Sequence, residues 1–312
     1  MNKFNLLTLL TLIVLGCTNN LKRNVYNQIK NDFGISHQIF IINPHNDTIL
    51  KCKNGTTIYL MKNTLCYNDD TQLLSKDTIS IYIIEYTKIG QMFINNLGTL
   101  SDNKIIETGG MLNIIAKQNN KRLKLKEGSN IRVYFPCKKK DYLPFYSKFE
   151  QNNYFDWNII SRVTTAPPRR DTSLFSGDTL KWNKNDIKMN ILSFSRLGWI
   201  NCDRFLNFDD LTEIYVKAEE NMDSSTFCSV ILKNYNSIIP GKLIQNNAMR
   251  FSPLPNNEPV ILFLISYKGD KYYMGFKDIV VKSKEVYSVS LEEVSKEQLK
   301  AKIEEFDKGR PL

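Results

Sequence analysis

The sequence predicts an all-β protein: two β-sandwich-like domains joined by an irregular linker and followed by a short C-terminal α-helix. Three observations carry this expectation. Thr78-Ile79-Ser80-Ile81-Tyr82-Ile83-Ile84-Glu85-Tyr86 alternates with Ile79, Ile81 and Ile83 on one face, the period of two that a half-buried strand requires. Val260-Ile261-Leu262-Phe263-Leu264-Ile265 is continuously apolar, the pattern of a strand covered on both faces. Other short β-type segments are separated by turn signals such as Asn54-Gly55, Asn119-Asn120 and Glu127-Gly128.

In chain order, residues 1–16 read as a lipoprotein signal peptide. Lys3 precedes the apolar run Leu6–Leu15, which has the length of a signal-peptide core and falls short of the ~20 residues of a membrane span. Leu15-Gly16-Cys17 then gives way at once to polar Thr18-Asn19-Asn20, an order that resembles a bacterial lipobox, with Leu15 in a slot that more often holds a smaller residue. The resemblance implies lipidation of Cys17 and hence a membrane partner through that anchor. Residues 17–36 are polar and Asn-rich and read as a tether, with a short helix around Val25–Ile29.

The first sandwich is expected over 37–137, with strands at Gln38–Ile42, Thr56–Met61, Thr78–Tyr86, Met111–Ala116, Arg122–Leu125 and Asn130–Phe135. Over 138–188 the regularity fades into a linker, where Pro167-Pro168 rules out a helix interior and Trp157 and Trp182 read as aromatic anchors. The second sandwich is expected over 189–288. Its strands are Met189–Phe194, Glu213–Ala218, Phe227–Leu232, Pro259–Tyr267, Lys271–Gly275 and Asp278–Lys282. Residues 289–312 hold the helix: Ser295-Lys296-Glu297-Gln298 is a capping box, Leu299, Ile303 and Phe306 form one stripe, and Gly309-Arg310-Pro311 stops it.

With 312 residues, 42% hydrophobic and 24% charged, the chain is ordinary globular material and long enough for two cores. The net charge of +10 is spread along it, with Lys138-Lys139-Lys140 and Arg169-Arg170 as local clusters. No recognition-helix, zinc-finger or RNA-binding signature accompanies that charge, so a solvated surface near a membrane is expected and nucleic-acid binding is not. Six cysteines leave five beyond Cys17, an odd number. Cys52 with Cys66, and Cys202 with Cys228, are the pairs that could bridge neighbouring strands; buried free thiols are the equal alternative. No CxxC, HExxH or close His/Cys cluster points to a metal, and nothing points to a cofactor.

Residues able to carry chemistry are few. Gly109-Gly110 permits positive φ or close backbone approach, and it lacks the Lys-Ser/Thr pair and helix of a phosphate loop. Glu107 beside it reads as an acceptor for backbone N–H groups, with cation binding as the lesser alternative. Trp199, Asn201, Asp203 and Arg204 read either as a ligand site for a sugar or carboxylate, or as a folded corner with a local ion pair. Cys202 as a nucleophile would need His37 or His45, which fall in the other expected domain. Adjacent acids at Asp209-Asp210 and Glu219-Glu220 leave carboxylate-dependent hydrolysis as a remote alternative. No catalytic residue is assigned.

Two stretches carry a wider resemblance. The first is Ile106-Glu107-Thr108-Gly109-Gly110-Met111 with Ala116, Leu123-Lys124-Leu125 and Ile131-Arg132-Val133-Tyr134-Phe135-Pro136, preceded by Gly55-Thr56-Thr57-Ile58 and Ile83-Ile84-Glu85-Tyr86. The second is Leu197-Gly198-Trp199-Ile200-Asn201-Cys202-Asp203-Arg204-Phe205. Together, over about residues 50–290, they resemble a group of uncharacterised Bacteroidota envelope lipoproteins whose sandwich module is distantly similar to the ankyrin- and netrin-receptor-type domain. Lys62–Cys66 departs from the proline-containing turn more usual there. The resemblance implies a non-catalytic binding or structural module without a cofactor. Its expected place is the cell envelope, on the periplasmic side of the outer membrane, facing an envelope protein or glycan. A carbohydrate-binding version would use Trp157, Trp182 and Trp199 as stacking platforms.

Overall fold

Ile79, Ile81 and Ile83 are buried along one strand while Ser80 and Tyr82 between them are half-exposed, as the period of two requires. A computed structural model describes residues 27–74, 77–137, 141–149, 155–159, 190–218, 226–244 and 248–308. A helix over 27–33 (α1) is followed by β1 (Gln38–Ile42), β2 (Thr48–Lys51), β3 (Thr57–Leu60), β4 (Leu65–Tyr67) and β5 (Ile79–Tyr86). Then come α2 (Ile89–Ile94), β6 (Leu100–Ser101), β7 (Lys104–Gln118), β8 (Lys121–Leu125), β9 (Ile131–Phe135), β10 (Leu143–Phe149), β11 (Phe155–Ile159), β12 (Asn190–Phe194) and β13 (Gly198–Phe205). The rest of the chain forms β14 (Leu211–Ala218), β15 (Phe227–Leu232), β16 (Ser237–Pro240), β17 (Lys242–Leu243), β18 (Ala248–Pro255), β19 (Pro259–Lys268) and β20 (Lys271–Val280). It ends in β21 (Val286–Val289), β22 (Glu292–Val294) and α3 (Lys296–Glu305). The protein is all-β, as the alternation and turn signals predicted.

Two compact units result, and both are discontinuous in sequence. One combines Ser36–Thr87 with Thr108–Arg204; the other combines the segment ending at Ile35 with Lys88–Glu107 and the chain from Phe205 onward. This differs from the expected division at residues 137 and 189. β12, expected to open the second sandwich, instead pairs with β9 from Asn190↔Phe135 to Phe194↔Ile131. Likewise β13 pairs with β10. The alternation of a strand encodes which face is buried but not which strand lies beside it, so the pairing of distant strands left no mark on composition.

In the first unit, a sheet ordered β1-β5-β7-β13-β10-β11, with β8 and β4 attached through β7, faces a smaller sheet ordered β12-β9-β3-β2. Ile79, Ile81, Ile114 and Cys202 from the large sheet meet Leu50, Ile58, Val133, Phe135 and Phe194 from the small one in a single core. Part of the expected linker belongs here: β10 and β11 form an antiparallel pair from Phe145↔Ile159 to Phe149↔Phe155. Pro144 obscured that strand in the sequence; it lies opposite Cys202. Trp157 is fully buried, as an anchor should be. Lys138–Lys140, Arg169-Arg170 and Trp182 lie outside the described residues.

The second unit packs a sheet ordered β17-β18-β14-β21 on one ordered β16-β15-β19-β20-β22. Their core joins Ile214, Val216, Phe251 and Val289 to Val230, Leu232, Leu262 and Leu264. β19 is covered on both faces, as its unbroken apolar run predicted. While Leu262 and Leu264 enter the sandwich core, Phe263 turns the other way, with Phe93 of α2 at 4.5 Å and Phe306 at 4.6 Å. The predicted capping box of α3 is present in full, and Leu299, Ile303 and Phe306 are buried along its stripe. Expected as two strands, 271–282 instead contains the single strand β20.

The expected tether ends early. α1 is part of the second unit: Ile29 is fully buried, the Phe33 ring meets Tyr272 at 5.6 Å, and Asp32 Oδ1 pairs with Lys296 Nζ at 2.6 Å. Cys17 and the lipobox-like sequence lie outside the described residues. Among the described residues, no helix is long and apolar enough to cross a membrane.

Candidate functional site

The two sequence motifs meet where β7 and β13 run side by side. Gly109 of β7 lies against Cys137, just past the end of β9: a Cβ on Gly109 would stand 2.9 Å from the Cys137 Sγ and 3.2 Å from the Tyr142 ring. Gly110 takes a φ of +141°, a value that side-chain-bearing residues avoid. Close backbone approach at Gly109 and a positive φ at Gly110 are thus both present, in the interior of the long strand β7.

Successive residues of β13 point to opposite faces. Cys202 enters the core between the sheets, and its Sγ lies 3.9 Å from that of Cys137. Asn201 and Asp203 share the other face, both fully buried. Thr108 Oγ1 donates to Asn201 Oδ1 at 2.9 Å and accepts from the Gly110 N–H at 3.0 Å. Asn201 Oδ1 also accepts from the Cys202 N–H at 2.8 Å, and Asn201 Nδ2 donates to Asp203 Oδ2. Asp203 Oδ1 has no hydrogen-bond partner.

Burial pushes the Asp203 carboxyl well above the usual carboxylate range, against the opposing pull of hydrogen bonds with Thr108 and Asn201. Desolvation disfavours the charged form of a carboxyl, so burial in this position favours the neutral acid. Arg204, the next residue along the strand, is half-buried and projects from the opposite face. The expected Asp203–Arg204 combination, as ligand site or ion pair, is therefore split between faces. Trp199 is half-buried and stacks on Tyr86 at 5.3 Å. The Trp199–Arg204 stretch lies within the continuous strand β13 rather than at a corner, and of the expected corner bonds the side-chain-to-backbone one, Asn201 Oδ1 to the Cys202 N–H, is present.

The five described cysteines are all buried, and none is in a disulfide. Neither Cys52–Cys66 nor Cys202–Cys228 is bonded. Cys52 closes the turn before β3, whereas Cys66 on β4 pairs toward β8 and donates its thiol to Asp70 Oδ1 at 3.7 Å. Cys202 and Cys228 sit on β13 and β15, which belong to different sheets and different units. Burial pushes the Cys52 thiol up to about 12, with Glu85 adding to it, and lifts Cys202 well above the ordinary thiol range. Thiols so held are protonated and unsuited to nucleophilic attack. Although His37 and His45 share a unit with Cys202, His45 is occupied with Asn63 Oδ1 at 2.6 Å and the Leu74 carbonyl at 2.7 Å. Among the described residues, no group of three or more His, Cys, Asp or Glu could hold a metal ion.

Two further acids have structural duties. Glu107 Oε1 accepts from the Asn236 N–H at 3.2 Å, the backbone anchoring expected of it. Glu85 was overlooked as an anchor, although it is the lone acid of an otherwise mostly apolar strand. It gathers the Gln38 amide at 2.8 Å, the Asn54 N–H at 2.9 Å and the Thr56 N–H at 3.2 Å. Comparison with protein-family models and with curated proteins finds no match.

Of the aromatic platforms, Trp157 is fully buried and offers no ring face to a sugar, while Trp199 is half-buried with one ring face stacked on Tyr86. A groove of about 300 Å³ on the second unit is lined by Lys233, Phe276, Asp278, Lys302, Glu305 and Phe306 among others. Two ion pairs take up four of its five lining charges, the fifth being Lys308: Lys233 pairs with Asp278 at 2.7 Å, and Lys302 pairs with Glu305 at 3.1 Å while lying over the Phe276 ring. Asp210 holds the Asn256 amide at 2.7 Å; Glu219-Glu220 lies outside the described residues.

Proposed function

We propose that this chain is a membrane-anchored envelope lipoprotein acting as a non-catalytic binding or structural module, placed on the periplasmic side of an outer membrane. The observation that carries the reading is Leu15-Gly16-Cys17 following the apolar run Leu6–Leu15. Its chemistry is support for it: the buried Glu85 and Glu107 bind backbone N–H groups, and Asp203 is fully buried with one oxygen bonded to the Asn201 amide. The same reading assigns the chain to the Bacteroidota lipoprotein group its motifs resemble. Its partner is an envelope protein or glycan met by loops or strand edges of the sandwiches.

The test is metabolic labelling with a clickable fatty acid, comparing the native chain with Cys17→Ala and following membrane fractionation. Label and membrane association are expected only with Cys17; equal labelling of the two chains overturns the anchor. Affinity isolation of the intact lipoprotein under gentle detergent conditions tests the module. Recovery of the chain alone would sink its role as an assembly component.

A further inference from the structure

The contact between Cys137 and Cys202 joins two parts of the first unit that no backbone ladder connects. Cys137 lies two residues beyond β9 in the smaller sheet, and Cys202 is inside β13 of the larger one. Their sulfurs are 3.9 Å apart and neither residue is exposed. We propose that Cys137 and Cys202 form an intramolecular disulfide when the chain folds in an oxidising compartment, a covalent link between the two sheets of this sandwich.

The site fits that chemistry. Closing the contact to the bond length of about 2.05 Å needs a modest sulfur displacement between thiols already in contact. The missing Cβ of Gly109 is what lets the Cys137 Sγ take its position beside that strand, within reach of Cys202. The loop closed runs from 138 to 201, and a long loop is where a cross-link removes most freedom from the unfolded chain. A disulfide is also at home in an apolar core, since it buries no thiol donor.

The oxidant is a disulfide compound, either a low-molecular-weight one or a thiol oxidoreductase. One cysteine thiolate attacks it and displaces the first reduced thiol, giving a mixed disulfide. The second cysteine then attacks that bond and displaces the other. Overall, two protein thiols lose two electrons and two protons to form one S–S bond, and the oxidant's disulfide becomes two thiols. Because burial suppresses the Cys202 thiolate in the folded unit, exchange belongs to the folding chain, and the closed sandwich then shields the product.

Formation in the cell rests on the envelope reading, whereas the pairing itself is tested independently of it. The full chain is unfolded and reduced, then refolded either in mixed oxidised and reduced glutathione or in reduced glutathione alone. Free thiols are alkylated after denaturation and counted by mass spectrometry, with a non-reduced peptide map. The oxidising sample is expected to lose two labels and to yield one linked peptide pair containing Cys137 and Cys202. In Cys137→Ser and Cys202→Ser, the remaining partner is expected to regain its label. Retention of every label in the oxidising sample, or linkage scattered over Cys52, Cys66 and Cys228, overturns the proposal. Cys17→Ala is expected to abolish fatty-acid labelling while leaving the link intact, so failure of the anchor and failure of the disulfide are read separately.

Discussion

Gly109 and Cys137 pack so closely that a single methyl group on the glycine would stand 2.9 Å from the cysteine sulfur, with the Tyr142 ring at 3.2 Å behind it. Gly109→Ala is therefore an overpacking substitution and is expected to cost about 1–3 kcal/mol of stability, read from denaturant unfolding. Adding Cys137→Ala removes the obstructing sulfur and should recover part of the loss. Equal midpoints for Gly109→Ala and the parent would contradict the packing.

Asp203 gives a pH signature. Burial pushes its carboxyl in the folded state well above the usual carboxylate range. As pH rises past the unfolded value, the unfolded chain releases this proton while the folded one keeps it. Stability therefore falls with rising pH until the folded group titrates, by up to about 1.4 kcal/mol per pH unit. Asp203→Asn keeps the shape and removes the proton. Unfolding curves at intervals between about pH 5 and about pH 8 should show the parent declining relative to the variant; parallel profiles would refute a neutral Asp203.

Phe263 touches Phe93 and Phe306 from the centre of β19. Phe263→Ala is expected to destabilise the second unit by about 3–5 kcal/mol, through lost burial and the cavity left under both helices. Hydrogen exchange of α2 and α3 should accelerate in this variant before that of the first unit.

The cap of α3 is a smaller and more local effect. Ser295 Oγ accepts from the Gln298 N–H at 3.2 Å, and the Gln298 side chain returns a bond to the Ser295 N–H at 2.8 Å. Ser295→Ala should cost about 1 kcal/mol and Ser295→Asp less, measured as fraying of the first helical turn by amide exchange.

At α1, bonds from Lys296 and then Tyr272 hold the Asp32 carboxyl below its ordinary value. This contribution is present above the unfolded carboxylate range and is lost as pH falls through the lowered folded value. Asp32→Asn should loosen α1 by under about 1 kcal/mol, since the pair is near the surface. Limited proteolysis around residues 27–33 reports it; unchanged cleavage would mean Ile29 and Phe33 hold the helix unaided.

What could be read from the chain depended on how local the physics was. Ser295–Gln298 and the Leu299, Ile303 and Phe306 stripe are complete within about a dozen residues, and both appeared as predicted. The double coverage of β19 was equally visible, because Val260–Ile265 leaves no polar face. Strand partners were not visible: nothing in Asn190–Phe194 says that it lies beside Ile131–Phe135. The site at Asn201 and Asp203 was half legible. Its polar residues announced a need for partners, but Thr108 lies more than 90 positions upstream. For Cys202 the chain offers Cys228 as the nearest cysteine in sequence, while the sulfur that meets it is that of Cys137.

The docking of α1 also sets a height. For a lipid carried on Cys17, only the ten peptide steps from Cys17 to Asn27 separate the acyl chains from folded protein, a maximal reach of about 35 Å. Had the chain stayed extended to Ser36, that reach would be about 65 Å. A protein so moored would ride close above the headgroups, and it would meet partners that lie on the bilayer before those suspended far from it.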